Sequence, residues 1–166
     1  MSAPEFSRPL PFSAVRTPGH VVEISASPAE RAALALRLGL IDLPSLTARW
    51  RLSPEETGCI VAEVTVLADV VQECVVTLDP VPQRVEETVR LRFLPPGVEP
   101  TDDDPETPDD IPCEREVMDL GEATAETLAL LLDPYPRAEG AVLPDAATDA
   151  DSGPFAGLSR LRGTPQ

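Results

Sequence analysis

The chain has 166 residues, of which 42% are hydrophobic, and this size suits one ordinary core with tails better than two domains. Its formal net charge is −16, and all 13 of its basic residues are arginines, because the sequence contains no lysine. A field of that sign repels phosphate backbones at long range, which excludes non-specific coating of DNA or RNA by this protein.

An N-terminal arm, a strand and a helix are predicted within the first 39 residues. Aromatic residues lie between prolines in residues 1–20, which suggests an extended arm laid against the body. Val21–Ile24 is a short strand candidate. Ser27 and Glu30 have the spacing of a capping box, and the apolar residues that follow predict a helix ending before Gly39.

Four strands follow, because apolar and polar side chains alternate along the chain from residue 46 onward. A period of two is typical of strands that are buried on one face. We place a turn at Ala68–Asp69, between the second strand and the third. The predicted strands are 46–52, 60–66, 70–78 and 85–93. Short turns between consecutive strands predict an antiparallel meander.

The rest of the chain contains an acidic segment, a second helix and a tail. Glu99–Glu116 is dominated by Asp, Glu and Pro, which predicts a mobile acidic loop. Asp119–Glu122 has the pattern of a helix start, and Pro134 ends the apolar face that follows. Residues 138–166 turn to Ala, Asp, Gly and Pro, which predicts a disordered tail with one small apolar island in residues 154–162.

These elements together predict an α+β fold. An antiparallel β-meander sheet of at least four strands is expected to be packed by two helices. We expect a single domain over residues 1–137 that includes the acidic loop 99–116, followed by the tail 138–166. No period of about 20 to 50 residues recurs, which excludes a repeat architecture.

The sequence contains no constellation typical of catalysis. A cysteine nucleophile would need His20, the only histidine, yet Cys59 and Cys74 fall at strand positions where cysteine is usually a small buried hydrophobe. The cysteines, Cys113 included, lack the local pairs that structural zinc uses. The glycines are isolated, so no phosphate-binding loop is present. We therefore predict no catalytic residue, no metal and no cofactor.

A cluster of aspartates in the acidic segment suggests calcium as a further possibility. Its spacing lacks the alternating ligands and the central glycine of a calcium loop, and prolines interrupt it. A solvated, negatively charged loop is the favoured interpretation. The aspartates concerned are Asp102, Asp103, Asp104, Asp109 and Asp110.

Cysteine usage and hydropathy indicate the compartment. An odd number of cysteines without paired spacing argues against a disulfide framework and fits a reducing cytoplasm. Residues 1–20 lack the basic start and apolar run of a secretion signal, and no stretch approaches the roughly 18 apolar residues of a membrane span. We expect a cytoplasmic protein that binds neither a membrane nor DNA.

Four arginines run against the overall charge and form the candidate binding residues. They fall on the polar side of the first and fourth predicted strands, so they share one solvent face if the sheet is as predicted. Arginine favours phosphate and carboxylate groups because its planar fork donates in pairs. The alternative is that glutamates of the same face neutralise them as cross-strand ion pairs. The arginines are Arg49, Arg51, Arg90 and Arg92, and the glutamates are Glu63, Glu73 and Glu86.

Three blocks of the sequence resemble the YceD family. Residues 68–81 resemble its signature, in which a cysteine, here Cys74, is followed by Leu-x-Pro, here Leu78 and Pro80. Asp119, Leu120, Gly121 and Glu122 resemble the second conserved block of the family. Residues 154–162 resemble its usual C-terminal end. Many members have a second cysteine where this chain has Thr77. The Cys-Val-Val-Thr-Leu form is similar to the alphaproteobacterial branch.

The resemblance implies a role in the synthesis, processing or accumulation of large-subunit 23S ribosomal RNA, without an enzymatic activity. The implied partners are a large-subunit ribosomal protein, an assembly factor or the precursor RNA. An acidic chain with local arginine rows suits holding a basic protein, or contacting RNA locally, better than coating RNA. Two alternatives stay open, an acidic adaptor unconnected to ribosomes and an RNA-processing hydrolase.

Overall fold

A computed structural model describes residues 4–100 and 108–142. The segment 101–107, which holds Asp102, Asp103 and Asp104, and the end motif 154–162 lie outside the described residues. In chain order, the elements are β1 (Pro9–Pro11), a single 3₁₀ turn (Phe12–Ala14), β2 (His20–Ser25), α1 (Pro28–Leu38), β3 (Asp42–Pro54), β4 (Ile60–Glu73), β5 (Pro80–Leu94), β6 (Asp109–Pro112), β7 (Val117–Asp119) and α2 (Leu120–Leu131).

The main sheet has five strands in the order β2-β3-β4-β5-β6, and β1 pairs with β7 in a separate two-stranded sheet. The first four strands of the main sheet are antiparallel neighbours, while β6 runs parallel to β5. The predicted α+β class with two helices is therefore confirmed. The main sheet is mixed rather than purely antiparallel, because the chain crosses over after β5 before it forms β6.

Alternation along the strands separates a buried face from a solvent face. Every even-numbered residue of β4 from Ile60 to Val70 is buried, and the odd-numbered ones between them are partly exposed. On the buried face, Trp50 of β3 packs against the ring of Phe93 and donates its indole N–H to the hydroxyl of Thr124 in α2, at 3.1 Å. The helices thus lie on one side of the sheet, in two layers.

The predicted turn at Ala68–Asp69 is wrong. Both residues lie inside β4, whose 14 residues run without a break from Ile60 to Glu73. Ala68 is 2% exposed and continues the buried alternation, while Asp69 faces the other way and accepts a hydrogen bond from the Ser45 hydroxyl at 2.7 Å. The two middle strands of the prediction are therefore one strand, and the fourth antiparallel strand is β2.

Part of the predicted acidic loop is also wrong. Residues 109–112 form β6, which pairs with β5, and the amide of Cys113 donates to the carbonyl of Leu94 at 2.9 Å. The side chain of Asp110 accepts hydrogen bonds from Arg92, which explains how so polar a segment joins the sheet edge. The ending of the domain at residue 137 stays a prediction.

Helix α1 begins and ends where the sequence predicts. The Ser27 hydroxyl accepts the Glu30 amide, and the Glu30 carboxylate accepts the Ser27 amide, so the capping box of α1 is confirmed. Gly39 ends the helix with a φ of 65°, a left-handed conformation that glycine adopts without strain.

No helix of the described part of the chain is long and apolar enough to cross a membrane.

Asp119 joins the N-terminal arm to α2. Its carboxylate caps the helix by accepting the amides of Gly121 and Glu122, and it also accepts the Arg8 amide and the Ser7 hydroxyl. Gly121 packs so closely on the arm that a Cβ atom there would lie 2.6 Å from the carbonyl oxygen of Phe6. The glycine is needed for this close approach of two backbones.

Two arginines tie α1 to the same junction. Arg8 forms a two-pronged ion pair with Glu30, at 2.7 and 3.0 Å. Hydrogen bonds from Arg8, and then from the Ser27 backbone, lower the pKa of Glu30 to about 2. Arg37 pairs with Glu122 at 2.6 Å. The arm, α1 and α2 are therefore held together mainly through charged contacts around the start of α2.

We predict that Gly121→Ala destabilises the protein by about 1–3 kcal/mol, because its Cβ forces the arm away from α2. Urea unfolding of the full chain measures the change. The exposed Glu126→Ala in the same helix is the control and should change stability by less than about 0.5 kcal/mol. Equal stability of the two variants would show that the arm does not pack as described.

Candidate functional site

The four candidate arginines lie on one face of the main sheet, the solvent face. In the strand register, Arg51 stands opposite Glu63 of β4, and Glu63 stands opposite Arg90 of β5. Arg49 occupies the next outward-facing position of β3, and Arg92 that of β5. No described helix covers this face, because α1 and α2 pack on the buried side.

Two of the four arginines are already engaged. Arg51 forms an ion pair with Glu63 at 2.6 Å, across neighbouring strands. Arg92 forms two hydrogen bonds with Asp110, at 2.7 and 2.9 Å, and these side chains are only 20% and 9% exposed. The cross-strand alternative therefore holds for Arg51, while Arg92 fastens β6 to the sheet.

Arg49 and Arg90 differ from these two. Both residues are exposed, and neither makes an ion pair within residues 4–100 and 108–142. Their cross-strand neighbours are Thr65 for Arg49 and Glu63 for Arg90, and Glu63 is the residue that pairs with Arg51. These two guanidinium groups are thus available to an external acceptor. Glu86 pairs with Arg84 at 3.6 Å, and Glu73 stands opposite Pro80 at the other end of β4, so neither engages them in the described part of the chain.

The signature around Cys74 forms a tight turn between β4 and β5, which we call the cysteine turn (Cys74–Asp79). The predicted placement of Cys74 in the middle of the strand 70–78 is wrong, because β4 ends at Glu73. The amide of Cys74 donates to the carbonyl of Asp79 at 2.8 Å, and the amide of Leu78 donates to the carbonyl of Cys74 at 3.0 Å. Pro80 then begins β5.

The sulfur of Cys74 organises this turn. It is fully buried and accepts the amides of Val76, Thr77 and Ala138, at 3.5, 3.4 and 3.2 Å. The amide of Ala138, followed by the side chain of Thr77, lowers the pKa of the Cys74 thiol to about 7. Cys74 therefore serves as a buried acceptor that joins the turn to the chain leaving α2.

Leu78 has an unusual conformation in the cysteine turn. Its φ is 63°, in the left-handed region, and its side chain is 66% exposed. A left-handed backbone costs a residue with a Cβ about 1–2 kcal/mol. Packing among the described residues does not explain an exposed, bulky apolar side chain at such a position. The sequence patterns carried no indication of this conformation.

The second block of signature residues has a structural role. Asp119 caps α2, Leu120 is 1% exposed in the core, Gly121 allows the arm to approach, and Glu122 pairs with Arg37. Asp119 and Glu122 line a groove beside Phe93 and Cys113, but both carboxylates already have partners, the Arg8 and Gly121 amides for Asp119 and Arg37 for Glu122. This block therefore maintains the fold that positions the arginine face and the cysteine turn.

The described residues bring no catalytic constellation together. Cys59 and Cys74 flank the two ends of the 14-residue β4, so at about 3.3 Å per residue they lie on the order of 50 Å apart. His20 pairs with Leu52, towards the Cys59 end of the sheet and far from Cys74. An open groove of about 630 Å³ is lined by Gln83–Glu87, Leu131 and Asp133, without a cysteine or histidine. No group of three or more potential metal ligands occurs within the described residues.

A comparison with known protein families identifies one relationship. The family model described as "Large ribosomal RNA subunit accumulation protein YceD" matches residues 62–159, which is more than half of the chain. The match begins in β4 and includes the cysteine turn, β5 and α2. No curated protein and no solved structure shows a significant match.

We predict that Arg92→Gln and Arg90→Gln affect stability differently. Arg92→Gln removes the guanidinium that faces the part-buried Asp110, and it should cost about 1–3 kcal/mol. Arg90→Gln removes an exposed side chain and should cost less than about 0.5 kcal/mol. Urea unfolding distinguishes the two. Similar losses from both would contradict the division of the arginines into engaged and available pairs.

Proposed function

Because the chain belongs to the YceD family of large ribosomal RNA subunit accumulation proteins, we propose that it supports the synthesis, processing or accumulation of 23S ribosomal RNA by binding a large-subunit precursor. The observation that carries this proposal is the family match over residues 62–159. The protein acts in the cytoplasm as a non-enzymatic assembly factor. Its contribution is to hold components of the precursor in place.

Binding rather than catalysis fits the chemistry of the described residues. A nuclease needs carboxylates clustered on rigid elements to hold metal ions. Several of the described carboxylates are instead used in ion pairs and caps, such as Glu30 with Arg8 and Asp119 at the start of α2. The buried Cys74 sulfur is occupied by backbone amides, which keeps it from acting as an exposed nucleophile.

Arg49 and Arg90 form the contact to the precursor. They are exposed on a sheet face that no described helix covers, and no described carboxylate pairs with them. An arginine fork donates well to phosphate or carboxylate oxygens. Arg51 and Arg92 flank these two residues and are held by Glu63 and Asp110.

The net charge restricts how this contact forms. At −16, the chain repels bare RNA at long range, so two arginines cannot drive association by themselves. They can add specificity once another contact has brought the protein to the particle. The partner surface therefore includes protein, and the RNA contact is local.

We predict that the double variant Arg49→Gln/Arg90→Gln folds normally but complements a deletion strain poorly. Deletion should lower the ratio of 23S to 16S ribosomal RNA and increase unprocessed precursor. The double variant should restore less than half of that loss, because it lacks both guanidinium groups that are available to contact the precursor. Quantitative RNA analysis measures the ratio, and urea unfolding checks the fold.

The matched control is Arg16→Gln/Arg115→Gln, which removes the same charge from exposed positions outside the sheet face. It should complement fully. Full complementation by Arg49→Gln/Arg90→Gln would remove the arginines from the binding surface. Normal 23S ribosomal RNA in the deletion strain would overturn the proposed function itself.

A further inference from the structure

The cysteine turn and the chain beside it expose three large apolar side chains at one end of the sheet. Val75, Leu78 and Tyr135 are 49%, 66% and 71% exposed. We call these three side chains the apolar patch. The chain from Tyr135 to Ala138 is fixed beside the turn, because the Val75 amide donates to the Pro136 carbonyl at 2.9 Å and the Ala138 amide donates to the Cys74 sulfur.

The patch is held rigidly by contacts beneath it. Cys74 is buried, and Pro136 is buried as well, while the three patch residues point outward from these anchors. The side chain of Gln72 donates to the carbonyl of Asp133 at 2.9 Å, which fixes the chain just after α2 against β4. A preorganised apolar surface loses little conformational entropy when a partner covers it.

Leu78 supplies the clearest indication that the patch serves a contact outside the fold. Its left-handed backbone is strained for a leucine, and glycine would relieve the strain. In return, the leucine side chain gains little burial among residues 4–100 and 108–142, since it is 66% exposed. Strained residues of this kind concentrate at binding and catalytic positions.

Charge around the patch indicates the kind of partner. Exposed acidic residues lie at both ends of the turn and on the chain beside it, with one arginine among them. These residues are Glu73, Asp79, Asp133, Glu139 and Arg137. An apolar centre with an acidic rim complements a basic protein surface that offers an apolar pocket. It repels the phosphates of RNA, and it repels the acidic surface of a second copy of this chain.

We propose that the apolar patch, with its acidic rim, is the docking site for a basic protein of the large-subunit precursor. This inference rests on the proposed function and assigns its protein contact. Leu78 inserts into the partner, and the acidic rim pairs with the partner's arginines or lysines. Arg49 and Arg90 then reach their acceptor from a different part of the same molecule.

Photo-cross-linking of the full-length protein tests the assignment. p-Benzoylphenylalanine is introduced at position 78 and, as a control, at position 36, where Leu36 is 86% exposed on α1 and is not part of the cysteine turn. The probe is large-subunit precursor particles purified from the deletion strain. Position 78 should cross-link to a basic ribosomal or assembly protein at least tenfold more than position 36 does. Cross-links to RNA, to a second copy, or to nothing above the control would overturn the assignment.

Leu78→Gly separates binding from folding. Its thermal midpoint should equal that of the wild type or rise by about 2–4 °C as the strain is removed. Its affinity for the precursor particles should fall at least tenfold, whereas Leu36→Ala should bind as the wild type does. A lowered thermal midpoint would show that the leucine serves the fold, and undiminished binding would show that the partner does not use it. Both results contradict the inference.

The same binding measurement distinguishes this inference from the proposed function. If the wild type and Leu78→Gly bind the particles equally, only the docking site is wrong. If the wild type itself does not bind, the proposed function is wrong. The salt dependence of the affinity is a further check. Binding by the wild type should weaken as the ionic strength rises, because salt screens the charge of the acidic rim.

Discussion

The Asp119 carboxylate is the contact on which the rest of the structure depends. It accepts amides from its own helix and from the N-terminal arm, and Gly121 lets those two backbones approach. The helix that starts there supplies the hydroxyl of Thr124 to the indole of Trp50, in the centre of the sheet. Both helices are therefore held on one face of the sheet, and the opposite face is left to solvent.

That one-sided arrangement separates two surfaces with different chemistry. The solvent face presents Arg49 and Arg90, while the far end of β4 presents the apolar patch with its acidic rim. A protein of net charge −16 can use arginines only where a second contact has overcome the repulsion of phosphate. An assembly factor that touches both a basic protein and nearby RNA meets that requirement.

Local patterns in the sequence predicted much of the fold but not its long-range pairings. The capping box at Ser27 and the alternation in β3 and β5 were sufficient to locate α1 and the strands. The predicted turn at Ala68–Asp69 is wrong because it gave weight to Asp69, a turn-forming residue type, over an alternation that continues through both residues. The strand at 109–112 was missed because its partner, Arg92, is distant in sequence, and no local pattern encodes that pairing.

The candidate site was predictable to a similar extent. The shared face of the four arginines followed from strand periodicity, whereas their division into engaged and available pairs depends on cross-strand register. The strained Leu78 had no local indication, since left-handed leucine is rare.

The most direct test of the account is sedimentation of the tagged full-length protein through a sucrose gradient of cell extract. The protein should migrate with large-subunit precursors and not with small subunits, and a protein found only at the top of the gradient would contradict the account.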